Sequence, residues 1–248
     1  MPGVALITGA SRGIGAATAV LAAQRGFDVC VNFRVDERAA LEVVARAKAH
    51  GAGAIAVQAD VSDPIEVRRL FGTVEDHLGP LRALVNNAAI LEPQRRVEDV
   101  DADRLTRLLQ TNVVGPFLCA REAILRLSTA HGGSGGTIVN VSSAAARLGA
   151  PGEYVDYAAS KGAIDTLTIG LAKEVAAEGI RVNAVRPGFI DTNMHADGGE
   201  PGRIERVAPD LPMRRGGRPR EVAEAIVWLL SDASSYVTGT FIDVAGGR

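Results

Sequence analysis

The 248-residue sequence is short of cysteine and of net charge, and each shortage removes a class of protein. Cys30 and Cys119 are the only cysteines, and both sit inside apolar runs. Two such thiols cannot staple a loop-rich scaffold and fit buried residues of a reducing compartment. A formal net charge of −2 offers no basic surface for nucleic acid or an anionic membrane. No apolar stretch reaches the roughly 18–20 residues that span a bilayer. The strand-like run Val4-Ala5-Leu6-Ile7 begins so near Met1 that a leader peptide has no room, and a cytoplasmic location is expected. The four histidines, His50, His77, His131 and His195, are scattered and form no ligand cluster, so no metal is expected.

Apolar periodicity is plentiful. Hydrophobic residues make up 47% of the chain, enough for one sizeable core spanning residues 1–248. Short apolar runs predict strands over Val4–Thr8, Val29–Phe33, Ala54–Ala59, Ala83–Asn86, Thr137–Val141, Arg181–Arg186 and Thr240–Val244. Most are continuous rather than alternating, as in a parallel sheet covered on both faces. Val222, Ala225, Ile226, Leu229 and Leu230 mark one face of a helix. Residues 101–130 predict one long helix, bent near Gly115-Pro116. This alternation implies a single α/β domain, a doubly wound Rossmann-type sheet of about seven parallel strands with helices on both faces. Ligands of such sheets bind at the carboxyl ends of the strands. Residues 193–217, rich in Gly, Pro and Arg, form the least regular segment and a candidate substrate lid.

The first predicted strand runs into Thr8-Gly9-Ala10-Ser11-Arg12-Gly13-Ile14-Gly15. Glycines at 9, 13 and 15 let the backbone approach a pyrophosphate, and the helix that follows offers free N–H groups and a positive dipole end. Strand two ends Val31-Asn32-Phe33-Arg34, without the terminal acid that binds the ribose hydroxyls of NAD. Arg12 and Arg34 are placed to bracket a 2′-phosphate, so NADP(H) is preferred and NAD(H) possible; the alternative is that Arg34 is a solvated surface charge.

Tyr157 and Lys161, in Tyr-Ala-Ala-Ser-Lys, share one helix face. An ammonium about 4 Å from the phenol would favour phenolate by ~4 kcal/mol, roughly 3 pKa units. Tyr154 is a rival, but it stands two turns from Lys161. Ser142-Ser143 ends the fifth strand, where a hydroxyl faces the ligand side. Alternation along the strand points the two serines to opposite faces, and Ser143 is taken ahead of Ser142. His195 either lines the substrate pocket or is an exposed loop residue.

These motifs, with Asp60-Val61, Asn86-Asn87-Ala88-Ala89, Asn112 and Pro187-Gly188 followed by Thr192, make the whole chain resemble the short-chain dehydrogenase/reductase family. The resemblance implies that Tyr157 is the general acid or base, that Lys161 assists it and binds the nicotinamide ribose, and that Ser143 orients the substrate carbonyl. Asn112 would hold a bent helix and a water of a proton relay. Asp60 and Val61 would meet adenine, Asn86 and Ala88 would flank the cofactor, and Pro187, Gly188, Ile190 and Thr192 would lie along the nicotinamide side. Ala89 replaces the family's usual glycine, and the gap from Ser143 to Tyr157 is about one residue longer than usual.

The expected function is NADP(H)-dependent hydride transfer to or from a carbonyl or secondary alcohol of a small substrate. The chain resembles sugar-dehydrogenase-like members. A 3-oxoacyl-carrier-protein reductase is the alternative, although the loop His131–Gly136 lacks the basic cluster such enzymes usually carry and only Lys173 remains. A non-catalytic NADP(H)-binding regulator is a third reading, disfavoured because both Tyr157 and Lys161 are kept. The resemblance also implies a homotetramer, packed through the helices near 101–130 and 155–178 and through the final helix and strand.

Overall fold

The computed structural model describes residues 3–248, so the first two residues of the expected 1–248 domain lie outside it. Seven strands form one sheet: β1 (Val4–Ile7), β2 (Asp28–Phe33), β3 (Ala54–Gln58), β4 (Leu81–Asn86), β5 (Gly136–Val141), β6 (Ile180–Pro187) and β7 (Phe241–Val244). Their order is β3-β2-β1-β4-β5-β6-β7, and every neighbouring pair is parallel. Each predicted strand is present, with ends displaced by one or two residues. The order reverses between β1 and β4, so their connections leave toward opposite faces and a crevice opens at their carboxyl ends.

The helices are α1 (Gly13–Gln24), α2 (Glu37–Lys48), α3 (Pro64–Leu78), α4 (Ala102–Leu109), α5 (Gly115–Leu127), α6 (Ala145–Leu148), α7 (Val155–Val175), α8 (Met194–Asp197), α9 (Arg203–Val207) and α10 (Pro219–Leu230). One face of the sheet carries α1, α2 and α10, whose Ala19, Ala22, Val43, Val222 and Ile226 pack on Ile7, Val29 and Val31. The other carries α3, α5 and α7 over Leu6, Cys30, Leu84 and Ile138. Both cysteines are buried thiols, and burial raises each one's pKa. Because α1 lies between α2 and α10, its small residues Ala16, Ala19, Ala22 and Ala23 permit close approach on more than one side. Local sequence sets the starts: the side chain of Asp36 caps α2, Asp63 followed by Pro64 opens α3, and Asp101 caps α4.

The long helix expected over 101–130 is interrupted immediately before Gly115-Pro116, as its sequence implies. Residues Gln110–Val114 form a π-helical turn between α4 and α5, with Asn112 at its centre. Pro116 has no N–H to give the carbonyl of Asn112, so the widening falls before the proline. Gly115 sits where a Cβ would stand 2.8 Å from Val61 Cγ2, which lets α5 close on the end of β3. The segment 193–217 is more ordered than its composition suggests: it contains α8, α9 and a 3₁₀ turn over Ala208–Asp210.

Two glycines test this packing with opposite signs. A Cβ on Gly15 would lie 2.7 Å from the Gly9 carbonyl oxygen and 2.8 Å from Ala10 Cα, whereas one on Gly72 in α3 meets nothing within 4 Å. Gly15→Ala is expected to lose about 1–3 kcal/mol. Gly72→Ala is expected to gain about 0.5–1 kcal/mol from helix propensity. Thermal denaturation should show the two midpoints moving in opposite directions.

Candidate active site

The crevice at the carboxyl ends of the strands holds two adjoining cavities of about 560 Å³ and 500 Å³. Ile14, Asn87, Ala89, Leu91, Thr192 and Met194 line both, so they are the shared wall.

The larger cavity is built on the turn after β1. Gly9 and Gly13 adopt positive φ, 59° and 58°, which glycine takes without strain. The turn is held from three sides. Thr8 Oγ1 donates to the Val85 carbonyl and accepts from the N–H groups of Asn87 and Ala88. Asn87 Nδ2 donates to the carbonyls of Thr8 and Gly9, and Asn32 Oδ1 accepts from Gly9 N at 3.1 Å. No side chain caps the N-terminus of α1, so its N–H groups face the cradle. Ser11, Arg12, Gly13, Ile14, Arg34, Asp60, Val61 and Ala88 all line this cavity, with Gly9 at its base. The two guanidiniums are each matched to a carboxylate: Arg34 Nη1 is 3.7 Å from Asp60, and Arg12 Nη2 is 2.5 Å from Asp197 on α8. All four side chains are substantially exposed, so these pairs contribute little and are readily exchanged for another anion. A glycine cradle, an uncapped helix N-terminus and two nearby guanidiniums fit a phosphorylated dinucleotide.

Asn86 departs from expectation. It is buried and turned into the protein, donating from Nδ2 to Asn140 Oδ1 at 2.9 Å and to the Pro116 carbonyl at 3.4 Å. The residue that lines the crevice is Asn87. Strand pleating explains the exchange, since neighbours alternate in direction and Asn86 ends β4 facing the α5 side. Gly15 also lines neither cavity; its role is close packing under the turn.

The smaller cavity is bounded by Ser143, Tyr157, Lys161, Pro187, Gly188, Ile190, Thr192 and His195 among others. Ser142 Oγ is committed to Asp165 Oδ1 at 2.6 Å, and Asp165 in turn pairs with Arg186 at 2.8 Å. Ser143 is only partly buried; its Oγ accepts from Ala145 N, and it stands near enough to the Tyr157 phenol to oppose the rise of its pKa. Lys161 Nζ donates to the Val141 carbonyl at 2.8 Å and lies 5.6 Å from the centroid of the Tyr157 ring. The expected lysine-depressed tyrosine is not what this geometry gives. Burial pushes the Tyr157 phenol up to about 12, with Ser143 opposing it. Burial also brings Lys161 down to about 8, with Asp165 opposing. The ammonium is held on the Val141 carbonyl, and desolvation is the largest influence on both groups.

Tyr154 shares the cavity, but its hydroxyl donates to the Gly198 carbonyl, which ties the start of α7 to residues 193–217. Asn112 is fully buried: its Nδ2 donates to the Ile90 carbonyl at 3.0 Å and to Ser160 Oγ at 3.3 Å, and its Oδ1 accepts from Ile90 N. It therefore joins the π turn, the loop after β4 and α7, and does not line either cavity.

His195 is a half-buried wall residue and not an exposed loop histidine. Its Nε2 is 2.9 Å from the Ile190 carbonyl, so that nitrogen carries the proton, while Nδ1 is buried without a partner. Burial is the largest cause that lowers its pKa. Arg203 of α9 also lines the cavity; it pairs with Glu153 and Glu200 and stacks over Tyr154 and Phe189. Asn32, Asn87 and Arg203, which line the cavities, and Asp165, which braces Ser142, are positions that reading by motif overlooked. Asn32 carried a usable signal, a buried amide at the end of an otherwise apolar strand.

A family model described as Enoyl-(Acyl carrier protein) reductase matches residues 9–248. Uncharacterized oxidoreductase YgfF of Escherichia coli (strain K12) is 61% identical over 245 residues, covering 99% of both chains. A 3-oxoacyl-[acyl-carrier-protein] reductase of Synechocystis sp. is 40% identical over 249 residues, covering 98% of this chain and 96% of that one. A short chain dehydrogenase from Burkholderia cenocepacia J2315, solved in complex with NADP, superposes with a TM-score of 0.90 at 33% identity, covering 98% of this chain and 96% of the other.

The different bonding of the two serines has a stability signature. Ser142→Ala removes a buried hydroxyl and its bond to Asp165, and is expected to cost about 1 kcal/mol. Ser143→Ala touches only a partly exposed hydroxyl and should leave the denaturation midpoint nearly unchanged. Equal losses in urea or thermal melts would contradict the assignment of Ser142 to the framework.

Proposed function

This chain belongs to the short-chain dehydrogenase/reductase family, and on that premise we propose that it is an NADP(H)-dependent reductase or dehydrogenase of a small carbonyl or secondary-alcohol substrate. The observation that carries the reading is the convergence of Ser143, Tyr157 and Lys161 on the wall of a cavity adjoining the glycine cradle. Two hydroxyls and an ammonium on one wall are suited to polarising a carbonyl oxygen and supplying its proton. The NADP in the Burkholderia relative, the absence of an acid at the end of β2, and Arg12 and Arg34 beside the larger cavity support the phosphorylated cofactor.

When bound, NADP(H) supplies or accepts the hydride. Tyr157 donates its proton to the carbonyl oxygen during reduction and takes it back during oxidation. Its high pKa keeps the phenol protonated near neutrality, the form that reduction requires. Ser143 holds the substrate oxygen, and Lys161 presents its charge beneath the tyrosine. Asn112 keeps α7 and the loop after β4 in register. The mixed wall of the smaller cavity, with Leu148, Tyr154, Phe189 and Met194 beside His195 and Arg203, suits a compact substrate with an apolar body. We place residues 193–217 as the lid, and read Leu105, Phe117, Leu125 and Ile169 exposed on α4, α5 and α7, with Trp228 on α10, as the subunit contacts of a homotetramer. Among the described residues no helix is long and apolar enough to cross a membrane, and a cytoplasmic location remains part of this reading.

A second reading, reduction of a 3-oxoacyl group on a carrier protein, is favoured by the name of the Synechocystis relative. A higher rate on a carrier-linked 3-oxoacyl thioester than on the free thioester would select it.

Arg34→Glu should abolish any preference for NADPH over NADH in fluorescence titrations. Equal affinity for the two cofactors in the wild type would remove Arg34 from the 2′-phosphate site. For the reaction, Tyr157→Phe and Ser143→Ala should each lower kcat by about 10²–10⁴-fold. The reductive rate should be flat near neutrality and fall as pH rises through about 8, where Lys161 loses its proton while Tyr157 is still protonated.

A further inference from the structure

Arg104 is the largest fully buried side chain among the described residues, and it lies beneath the active site. It comes from the first turn of α4 and makes three different commitments. Its Nε donates to Asp156 Oδ2 at 2.7 Å, its Nη1 donates to the Pro93 carbonyl at 2.6 Å, and its Nη2 is buried with no acceptor. Asp156 is equally enclosed, with its side chain 4% exposed. Its second oxygen, Oδ1, accepts from the backbone N–H of Tyr157 at 2.8 Å.

This arrangement stands at the amino end of α7, where the usual device is missing. Tyr154 occupies the cap position, and no side chain caps the helix. The first-turn N–H of Tyr157 is instead held by the carboxylate one residue before it, and Arg104 holds that carboxylate from the other side. The same guanidinium fixes Pro93, two residues beyond Leu91, which lines both cavities.

Stability alone does not account for the pair. Taking two charges out of water is costly, and an apolar pair of similar volume commonly does as well or better. The unmatched Nη2 adds a further desolvation penalty. What a charged, hydrogen-bonded pair provides and an apolar one does not is direction.

We infer that Arg104 and Asp156 are a positioning pair for the candidate active site: they set where the Tyr157 side chain stands relative to Ser143 and Lys161. The inference rests on the proposed role of Tyr157 as proton donor. Neither residue touches substrate or cofactor. Both act through the backbone of Tyr157 and through the loop after β4.

The chain has three tyrosines, Tyr154, Tyr157 and Tyr236, so a carbon-13 label at tyrosine Cζ yields a resolvable spectrum, and Tyr157→Phe identifies the relevant line. The test compares wild type, Asp156→Asn and Arg104→Lys in that spectrum, in NADPH titration and in steady-state reduction of diacetyl. Asp156→Asn should move the Tyr157 line and lower kcat by about tenfold to hundredfold, the scale of a small misplacement. KM and NADPH affinity should hold. Arg104→Lys keeps the cation and should recover part of both signals; if Asp156→Asn does not fold, Arg104→Lys carries the same two readouts against wild type. A lowered melting temperature with the Tyr157 line and kcat at wild-type values would overturn the inference and leave the pair a structural one. A displaced Tyr157 line in a protein whose wild type reduces neither diacetyl nor a wider ketone panel would support the positioning pair and defeat the proposed reaction instead.

Discussion

The hydroxyl of Thr8 is the point on which the crevice depends. It donates to the Val85 carbonyl and accepts from two successive N–H groups at the end of β4, so all its hydrogen-bonding capacity goes to joining β1 and β4 where the strand order reverses. Asn87 and Asn32 extend the lock to the carbonyls and N–H of the glycine turn. A turn in the left-handed region has little rigidity of its own. Here its shape is imposed by amides from two neighbouring strands, and the cradle is formed before any ligand arrives.

The fold was legible because its determinants are local. Continuous apolar runs separated by helix-period segments identified all seven strands, and Asp-capped starts at Asp36, Asp63 and Asp101 follow from side-chain chemistry that sequence displays directly. The cavity walls were largely legible too, since the chain's motifs fall at strand ends and strand ends face the crevice. What could not be read was direction and depth. Asn86 and Asn87 are adjacent and chemically identical, and only the pleat decides that one braces Asn140 while the other faces the ligands. The tyrosine–lysine spacing is correct for one helix face, but it does not say that the ammonium is held by the Val141 carbonyl. His195 was ambiguous for the same reason: its ring bonds the Ile190 carbonyl, a contact between α8 and the loop before it that no periodicity encodes.

The remaining part of the site is electrostatic and long-range. Glu153 and Glu200 collect Arg203 and Arg206, binding the approach to α7 to α9, while Arg12 reaches Asp197 from the opposite side of the crevice. Hydrogen bonding to Arg206 holds the Glu200 carboxyl well below its ordinary range, at about 2. Arg203 is buried in this network while Arg206, Arg12 and Asp197 are exposed, so the ion pairs at its rim hold residues 193–217 less firmly than those at its centre.

The six residues common to both cavities divide the molecule into parts with different freedom to change. Leu148, Phe189 and Arg248 border only the smaller cavity, so a substitution there alters what is accepted and leaves the cradle untouched. Ile14, Asn87, Ala89, Leu91, Thr192 and Met194 shape both cavities at once. A change among them acts on both affinities together, and pairs of such changes do not add. New substrate ranges on this scaffold are therefore reached from the rim inward, with the shared wall the last part of the site that drift can remodel.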